Sequence, residues 1–239
     1  TEHWSLIAGV RVDRYKANYD TVLVNGTATS AKSPSTLVNP RASLIFEPDE
    51  TQTYYFSWGR SSTPQGTSVV GSPTPISATN QTLDPEKSEN LEIGAKISLF
   101  DGGLGLSGSL FQVTKSNATI RDTDDTVIVQ SGQRQRVRGL ELSATGYITD
   151  DWSVLASYTY LDPVIADDPI TPYNIGRQIT FVPKNAASFW TDYRATSLLE
   201  GLSLGGGIVY QSPLYNGYTA PSQTGYPLGR IVRIPETVE

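Results

Sequence analysis

The stretch VNPRASLIFEPDETQTYYFSWGR (38–60) reads as two strands joined by a tight turn. In its first half Leu44 and Phe46 alternate with Ser43, Ile45 and Glu47. Successive side chains of a strand point to opposite faces, so an alternation of this kind marks a strand with two different surroundings. Pro48-Asp49 ends the run, because proline fixes φ and aspartate hydrogen-bonds its own backbone two residues on. In the second half Tyr54, Phe56 and Trp58 take one face, and Tyr55, Ser57 and Gly59 the other. An aromatic face opposite a small polar one suits a strand with lipid outside and a hydrated or protein-filled lumen inside.

The same pattern recurs on both sides of this hairpin. Period-two runs of roughly ten residues cover 4–14, 38–47, 52–62, 89–99, 104–115, 136–147, 152–161, 184–195 and 202–212. Leu91, Ile93, Ala95, Ile97 and Leu99 oppose Glu92, Gly94, Lys96 and Ser98. Leu104, Leu106 and Leu110 continue the apolar stripe after the Asp101-Gly102-Gly103 turn. Leu140, Leu142 and Ala144 oppose Gly139, Glu141 and Ser143, and Trp152, Val154, Ala156, Tyr158 and Tyr160 oppose Ser153, Ser157 and Thr159. Leu202, Leu204, Ile208 and Tyr210 oppose Ser203, Gly205, Gly207 and Gln211.

The gaps between the runs alternate in length. Those at 48–51, 100–103, 148–151 and 196–201 are tight, whereas 15–37, 63–88, 116–135, 162–183 and the residues from 213 onward read as long loops. Short turns at one end and long loops at the other identify an all-β, antiparallel transmembrane β-barrel, which crosses the membrane many times. A water-soluble sandwich has no reason to sort its loops this way. Trp4, Phe46, Tyr54, Phe100, Tyr147, Trp152 and Tyr193 fall near the short-turn end, and Tyr158, Tyr160 and Tyr210 near the other, as two interfacial aromatic girdles require.

Composition agrees with this architecture. Only 38% of the residues are apolar, which is what strands with one lipid-facing side need. No run is long and apolar enough for a transmembrane helix. The absence of cysteine excludes thiolate metal sites and disulfides, and a net charge of −6 argues against nucleic acid as a partner. With no methionine and a strand starting close to Thr1, the chain reads as an internal fragment of about nine strands.

Particular words then resemble a known family. WSLIAGVRVDRY (4–15), PRASLIFEP (40–48), LDPEKSENLEIGAKISLF (83–100) and RVRGLELSATGYITDDWSVLASYTYLD (136–162) resemble TonB-dependent siderophore receptors. So do FVPKNAASFWTDYR (181–194) and LSLGGGIVYQS (202–212), in the family's order over essentially the whole chain. The phrasing from Pro85 through Lys96 is the most specific, and the whole is most similar to catecholate-type receptors. The resemblance implies a 22-stranded barrel with a plug and uptake of ferric siderophores across the Gram-negative outer membrane, energised through TonB. It also implies that the plug, the TonB-contacting segment and the closing strands are absent from this stretch. GRIVRIPETVE (229–239) departs from the family's usual entry into the next strand.

No catalytic constellation, metal site or cofactor motif emerges. His3 is the single histidine and has no cysteine or second histidine beside it. Glu89 and Glu92 are three apart, which on a strand separates them onto opposite faces. Glu141, Arg11 and Lys96 fall on lumen faces, where wall or plug contacts are expected of them. The acidic clusters Asp122-Asp124-Asp125 and Asp167-Asp168 read as solvated loop. QRQRVR (133–138) puts Arg134, Arg136 and Arg138 on the face of Leu140 and Leu142, just above the apolar band. These arginines suit either contact with lipopolysaccharide phosphates or a solvated strand extension. A ferric catecholate is a polyanion with aromatic rings, so its pocket calls for arginine and aromatic residues on the long loops and upper wall. Arg60, Tyr173, Arg177, Phe181, Tyr215 and Tyr218 are the candidates. Two competing architectures are a soluble carbohydrate-binding or adhesion module and a passive porin segment.

Overall fold

The structure is a computed structural model and describes residues 2–22, 25–64, 84–121, 128–169, 171–196, 198–218 and 231–238. Nine strands follow one another: β1 (Trp4–Val22), β2 (Ala28–Asp49), β3 (Gln52–Thr63), β4 (Glu86–Leu99), β5 (Leu104–Arg121), β6 (Ile128–Thr149), β7 (Trp152–Asp167), β8 (Asn185–Arg194) and β9 (Ser203–Gln211). A small separate hairpin, β10 (Leu214–Tyr218) with β11 (Ile231–Ile234), comes next, and β12 (Thr237–Val238) returns to pair with β9. The main sheet is an antiparallel meander in the order β1 to β9, then β12. Among the described residues the only helical piece is a 3-10 turn at Pro172–Asn174.

All four tight turns fall where the sequence puts them, and the meander places them at one end. The turn between β2 and β3 is built on Asp49, whose carboxylate accepts hydrogen bonds from the Thr51 amide at 2.8 Å and hydroxyl at 2.6 Å. These bonds hold the Asp49 carboxyl below its ordinary pKa, the Thr51 hydroxyl contributing most. At the next turn, Gly103 N donates to Phe100 O, and Tyr147 N of β6 closes onto Gly103 O at 2.7 Å. Gly146 has φ +136°, and a Cβ there would lie 2.1 Å from Gly103 O, so only glycine lets β6 pass this corner.

Two expected loops are strands instead. The connections at 15–37 and 116–135 are mostly ladder: β1 and β2 pair as far as Val22 and Ala28, and β5 and β6 as far as Arg121 and Ile128. Above the apolar band both faces meet water or protein, so the apolar alternation stops while the backbone hydrogen bonds continue.

The register also fixes the tilt. Tyr54, Ala95, Gly108, Leu142 and Tyr158 form one row of cross-strand partners from β3 to β7. Tyr54 stands two residues above the start of β3 at Gln52, whereas Tyr158 stands six above the start of β7 at Trp152. The sheet therefore shears by one residue per strand. At about 3.3 Å per residue against about 4.8 Å per strand, this stagger corresponds to a strand tilt of about 35°, the value barrels of this class adopt.

The two faces differ as the alternation requires. Leu6, Leu44, Phe56, Ile93, Leu110, Leu140 and Tyr160 are successive partners on one face of β1 to β7. Ile93 and Leu110 in its centre remain 58% and 57% exposed, a surface that lipid rather than water covers. On the other face Ser107, Ser143, Ser157 and Ser188 are successive partners, with hydroxyl pairs Ser107–Ser143 and Ser157–Ser188 at 2.7 Å. This inward face also carries apolar side chains, among them the partners Leu155 and Trp190, and Ile45, Phe111 and Val209. Glu89 and Glu92 separate as expected, Glu89 facing outward beside Arg60 and Glu92 inward beside Tyr55.

Candidate functional site

The long-loop end carries most of the residues that the sequence singles out, and Tyr173, Arg177 and Phe181 lie on the connection from β7 to β8. Asp168 is only 1% exposed just beyond β7. Its carboxylate accepts the Thr171 amide at 2.9 Å, Gln133 Nε2 at 2.9 Å and Asn174 Nδ2 at 3.2 Å. Gln135 in turn donates to Gln133 Oε1 at 2.8 Å, tying β6 into the same network. The expectation of a solvated acidic loop is thus corrected for Asp168. Amide donors from three directions replace water around the carboxylate, which is what burial of such a group demands. The other acidic cluster, at residues 122–125, lies outside the described residues.

Pinned by Asp168, the chain makes its 3-10 turn, with Pro172 at a first position where its missing N–H costs nothing. It then runs back along β7. Gly176 N donates to Ile165 O at 2.8 Å, Ile165 N to Arg177 O at 2.9 Å and Ile179 N to Pro163 O at 3.1 Å. Leu161 N to Lys184 O, at 2.8 Å, carries this pairing down to β8. Phe181, with φ +60°, marks a sharp bend, and its N–H donates to Tyr215 O at 2.7 Å. Below it, Ser212 Oγ accepts the amides of Lys184 and Asn185 at 3.1 and 3.0 Å.

The candidate residues therefore fall into groups. The Arg177 guanidinium stands 5.1 Å from the ring centroid of Tyr173, a cation–π pair at the turn. Phe181 and Tyr215 are joined through the backbone, Phe181 60% exposed and Tyr215 buried. Tyr218 ends β10, opposite Ile231. Arg60 is placed elsewhere. It lies on the outward face of β3 with Phe56 and Trp58, four strands from β7, and its Nη2 is 3.3 Å from Glu89 Oε2. What the sequence missed is the Asp168–Gln133–Asn174 network, although Asp168 followed by Thr171-Pro172 carries a turn-initiating signal.

The outward arginines form a second feature. Arg134, Arg136 and Arg138 line a cavity of about 470 Å³ with Gln112, Thr114, Val164 and Ile175. Arg138 Nε donates to Gln112 Oε1 at 2.8 Å. His3 is accounted for by the strand beside it, with its Nδ1 2.8 Å from Glu47 O.

Comparison with known proteins bears on this arrangement as a whole. The family model described as "TonB dependent receptor-like, beta-barrel" matches residues 1–231. The probable TonB-dependent siderophore receptor PiuA of Acinetobacter baumannii is 33% identical over 227 residues, covering 90% of this chain and 30% of that protein. The catecholate siderophore receptor Fiu of Escherichia coli K12 is 27% identical, covering 91% of this chain and 31% of that protein. Among solved structures, that of PiuA superposes with a TM-score of 0.82 at 30% identity over 100% of this chain and 34% of its own. The closed form of Fiu, at 24% identity and a TM-score of 0.77, shares the fold over 100% of this chain and 35% of its own. The chain spans about a third of the length of these relatives. The soluble carbohydrate-binding or adhesion alternative finds no support in them. Barrels of this kind are outer-membrane proteins, so the exposed apolar face is the lipid face and the short turns are periplasmic. On its match from residue 1 to residue 231, the chain belongs to the TonB-dependent receptor β-barrel family.

Proposed function

We propose that this chain is wall and extracellular loop of a TonB-dependent receptor that takes up ferric siderophores, with a catecholate complex as ligand. The observation that carries the ligand class is the hydrogen-bonded β7–β8 connection. It presents an arginine–tyrosine cation–π pair at Tyr173 and Arg177, with the exposed ring of Phe181 on the same connection. Cationic and aromatic groups held in place before binding suit an anionic, ring-bearing complex and lower the ordering cost of binding it. Tyr215 and Tyr218 extend the same loop cluster. Arg60, already paired with Glu89 on the outward face, is the member whose loss should matter least.

Residues 1–239 form one stretch of a single larger barrel in this proposal. Among the described residues, β1 and β12 are each paired on one side only, and a lipid-embedded sheet needs both edges met by further strands. The plug and the TonB-contacting segment belong to the rest of the receptor, and outer-membrane lipid and lipopolysaccharide cover the outward face. This is a transporter wall and not an enzyme.

The test is a binding titration of the full-length receptor with the iron(III) complex of a tris-catechol ligand. Tyr173→Ala and Arg177→Ala should each weaken binding by about 1 kcal/mol or more, about fivefold in Kd, while Arg60→Ala changes it little. Unchanged affinity in both loop variants, with the barrel folded, would remove this connection from the site.

A further inference from the structure

Two cavities adjoin on the outward face of the sheet, and their linings differ in kind. The upper one is the arginine cavity of Arg134, Arg136 and Arg138. Directly below it a groove of about 380 Å³ is lined by Phe56, Leu91, Ile93 and Leu110, and it shares Gln112 and Arg138 with the upper cavity. The boundary between them falls at the height where lipid gives way to headgroups. Asp162, the register partner of Arg138, stands ten residues above Trp152 on β7. At the tilt of this sheet that separation rises roughly 27 Å, close to the apolar thickness of about 25 Å that such barrels present.

The protein uses these guanidiniums only in part, through the bond from Arg138 Nε to Gln112 Oε1. Among the described residues none of the three guanidiniums forms an ion pair. Asp162 and Asp167 are the register partners of Arg138 and Arg134, yet neither makes one. Glu89, in the row of Arg136, is committed to Arg60. Among the described residues the buried Arg136 Nε meets no hydrogen-bond partner. Three like charges at two-residue spacing on one strand face repel one another, and an anion bridging them would relieve that repulsion. They extend over four residue steps, on the order of 13 Å, which a single phosphate cannot cover but a headgroup with two phosphates can.

We propose that this face holds one molecule of lipid A, the bis-phosphorylated lipid moiety of lipopolysaccharide, with its phosphates on Arg134, Arg136 and Arg138 and an acyl chain in the groove of Leu91, Ile93 and Leu110. The long loops are the extracellular ones, so the occupant comes from the outer leaflet. Ile175 and Gly176, brought over the upper cavity by the turn that Asp168 pins, close its rim above the headgroup. Planar guanidinium suits the tetrahedral phosphate through paired hydrogen bonds, and the adjoining groove distinguishes a lipid from a free anion. The inference deepens the lipopolysaccharide contact proposed above and does not depend on the siderophore.

The full-length receptor in detergent is titrated with bis-phosphorylated lipid A, with its dephosphorylated counterpart, with phosphatidylglycerol and with inorganic phosphate, and bound lipid is counted by native mass spectrometry. One lipid A should bind, at least about tenfold more tightly than the dephosphorylated form or phosphatidylglycerol, with inorganic phosphate a poor competitor. Replacing the arginines together (Arg134→Gln, Arg136→Gln, Arg138→Gln) should erase that preference, and replacing them together by lysine should retain most of it. Ferric catecholate affinity should stay within about twofold in both variants, which separates failure here from failure of the siderophore proposal. Equal binding of the phosphorylated and dephosphorylated lipids would overturn the proposal, as would an unchanged preference in the glutamine variant. Inorganic phosphate binding as tightly as lipid A would make this a free-anion site and overturn the lipid assignment. If the glutamine variant fails to fold, the lipid comparison on the unaltered receptor decides alone.

Discussion

The phenol ring of Tyr55 on β3 covers Gly94 on β4 so closely that a Cβ at position 94 would meet the ring at 2.5 Å. The two residues are register partners on the inward face, and the Tyr55 hydroxyl reaches on to Glu92 Oε1 at 2.5 Å. Phe111 covers Gly139 and Trp190 covers Gly207 on the same face. Glycine lets each ring lie down against the neighbouring backbone, so the inner wall stays low although it carries large side chains.

Gly94→Ala should therefore lift the Tyr55 ring and break its bond to Glu92, at a cost of about 1–3 kcal/mol. Because the clash is with side-chain atoms alone, Tyr55→Ala in the same chain should remove most of that added cost. Unfolding titrations of the full-length receptor in lipid vesicles, run as a double-mutant cycle, measure the coupling.

Asp168→Ala should loosen the β7–β8 connection without unfolding the wall. Removal of the carboxylate takes one acceptor from Gln133, Thr171 and Asn174 at once, a local loss of about 1–3 kcal/mol. Hydrogen exchange of the Asn174, Gly176 and Arg177 amides should speed up, while the amides of β7 from Trp152 to Tyr160 keep their protection.

Asp49 should make the β2–β3 turn sensitive to acid. Its carboxyl is held below the ordinary value of 3.8, chiefly by the Thr51 hydroxyl and then the Thr51 amide. A depressed folded-state pKa contributes stability that is present above the unfolded value and is lost as pH falls through the folded one. Exchange of the Thr51 amide should accordingly gain an acid-dependent acceleration below about pH 4 that Asp49→Asn lacks.

How much of this was legible in the sequence depends on what the burial pattern encodes. Leu44, Phe56 and Ile93 alternate with Ser43, Ser57 and Glu92 because one side meets lipid, so strands, faces and tight turns follow directly from period two. That signal ends where lipid ends. Asn18 pairs with Lys32 and Thr119 with Gln130 in ladders that carry no apolar stripe, and these stretches therefore read as loop. Arg60 shows a related limit. Its place at the top of β3 suggests a pocket, but its even position on the strand of Phe56 and Trp58 sends it outward to Glu89. The Asp168 network joins residues 35 apart in the chain, and no local pattern announces that contact.

Which face of the sheet meets lipid and which meets the lumen decides how this wall works, and an arginine scan tests it most directly. Leu142 and Ala156 face outward near mid-height, while Ser143 and Ser157, their neighbours in sequence, face inward with their hydroxyls paired. In refolding titrations of the full-length receptor in lipid vesicles, Leu142→Arg and Ala156→Arg should each cost about 2–4 kcal/mol, because the charge enters hydrocarbon. Ser143→Arg and Ser157→Arg should cost distinctly less. The reverse order would mean that every strand presents its other face to the membrane, since a one-residue change of register exchanges all side chains between the two sides.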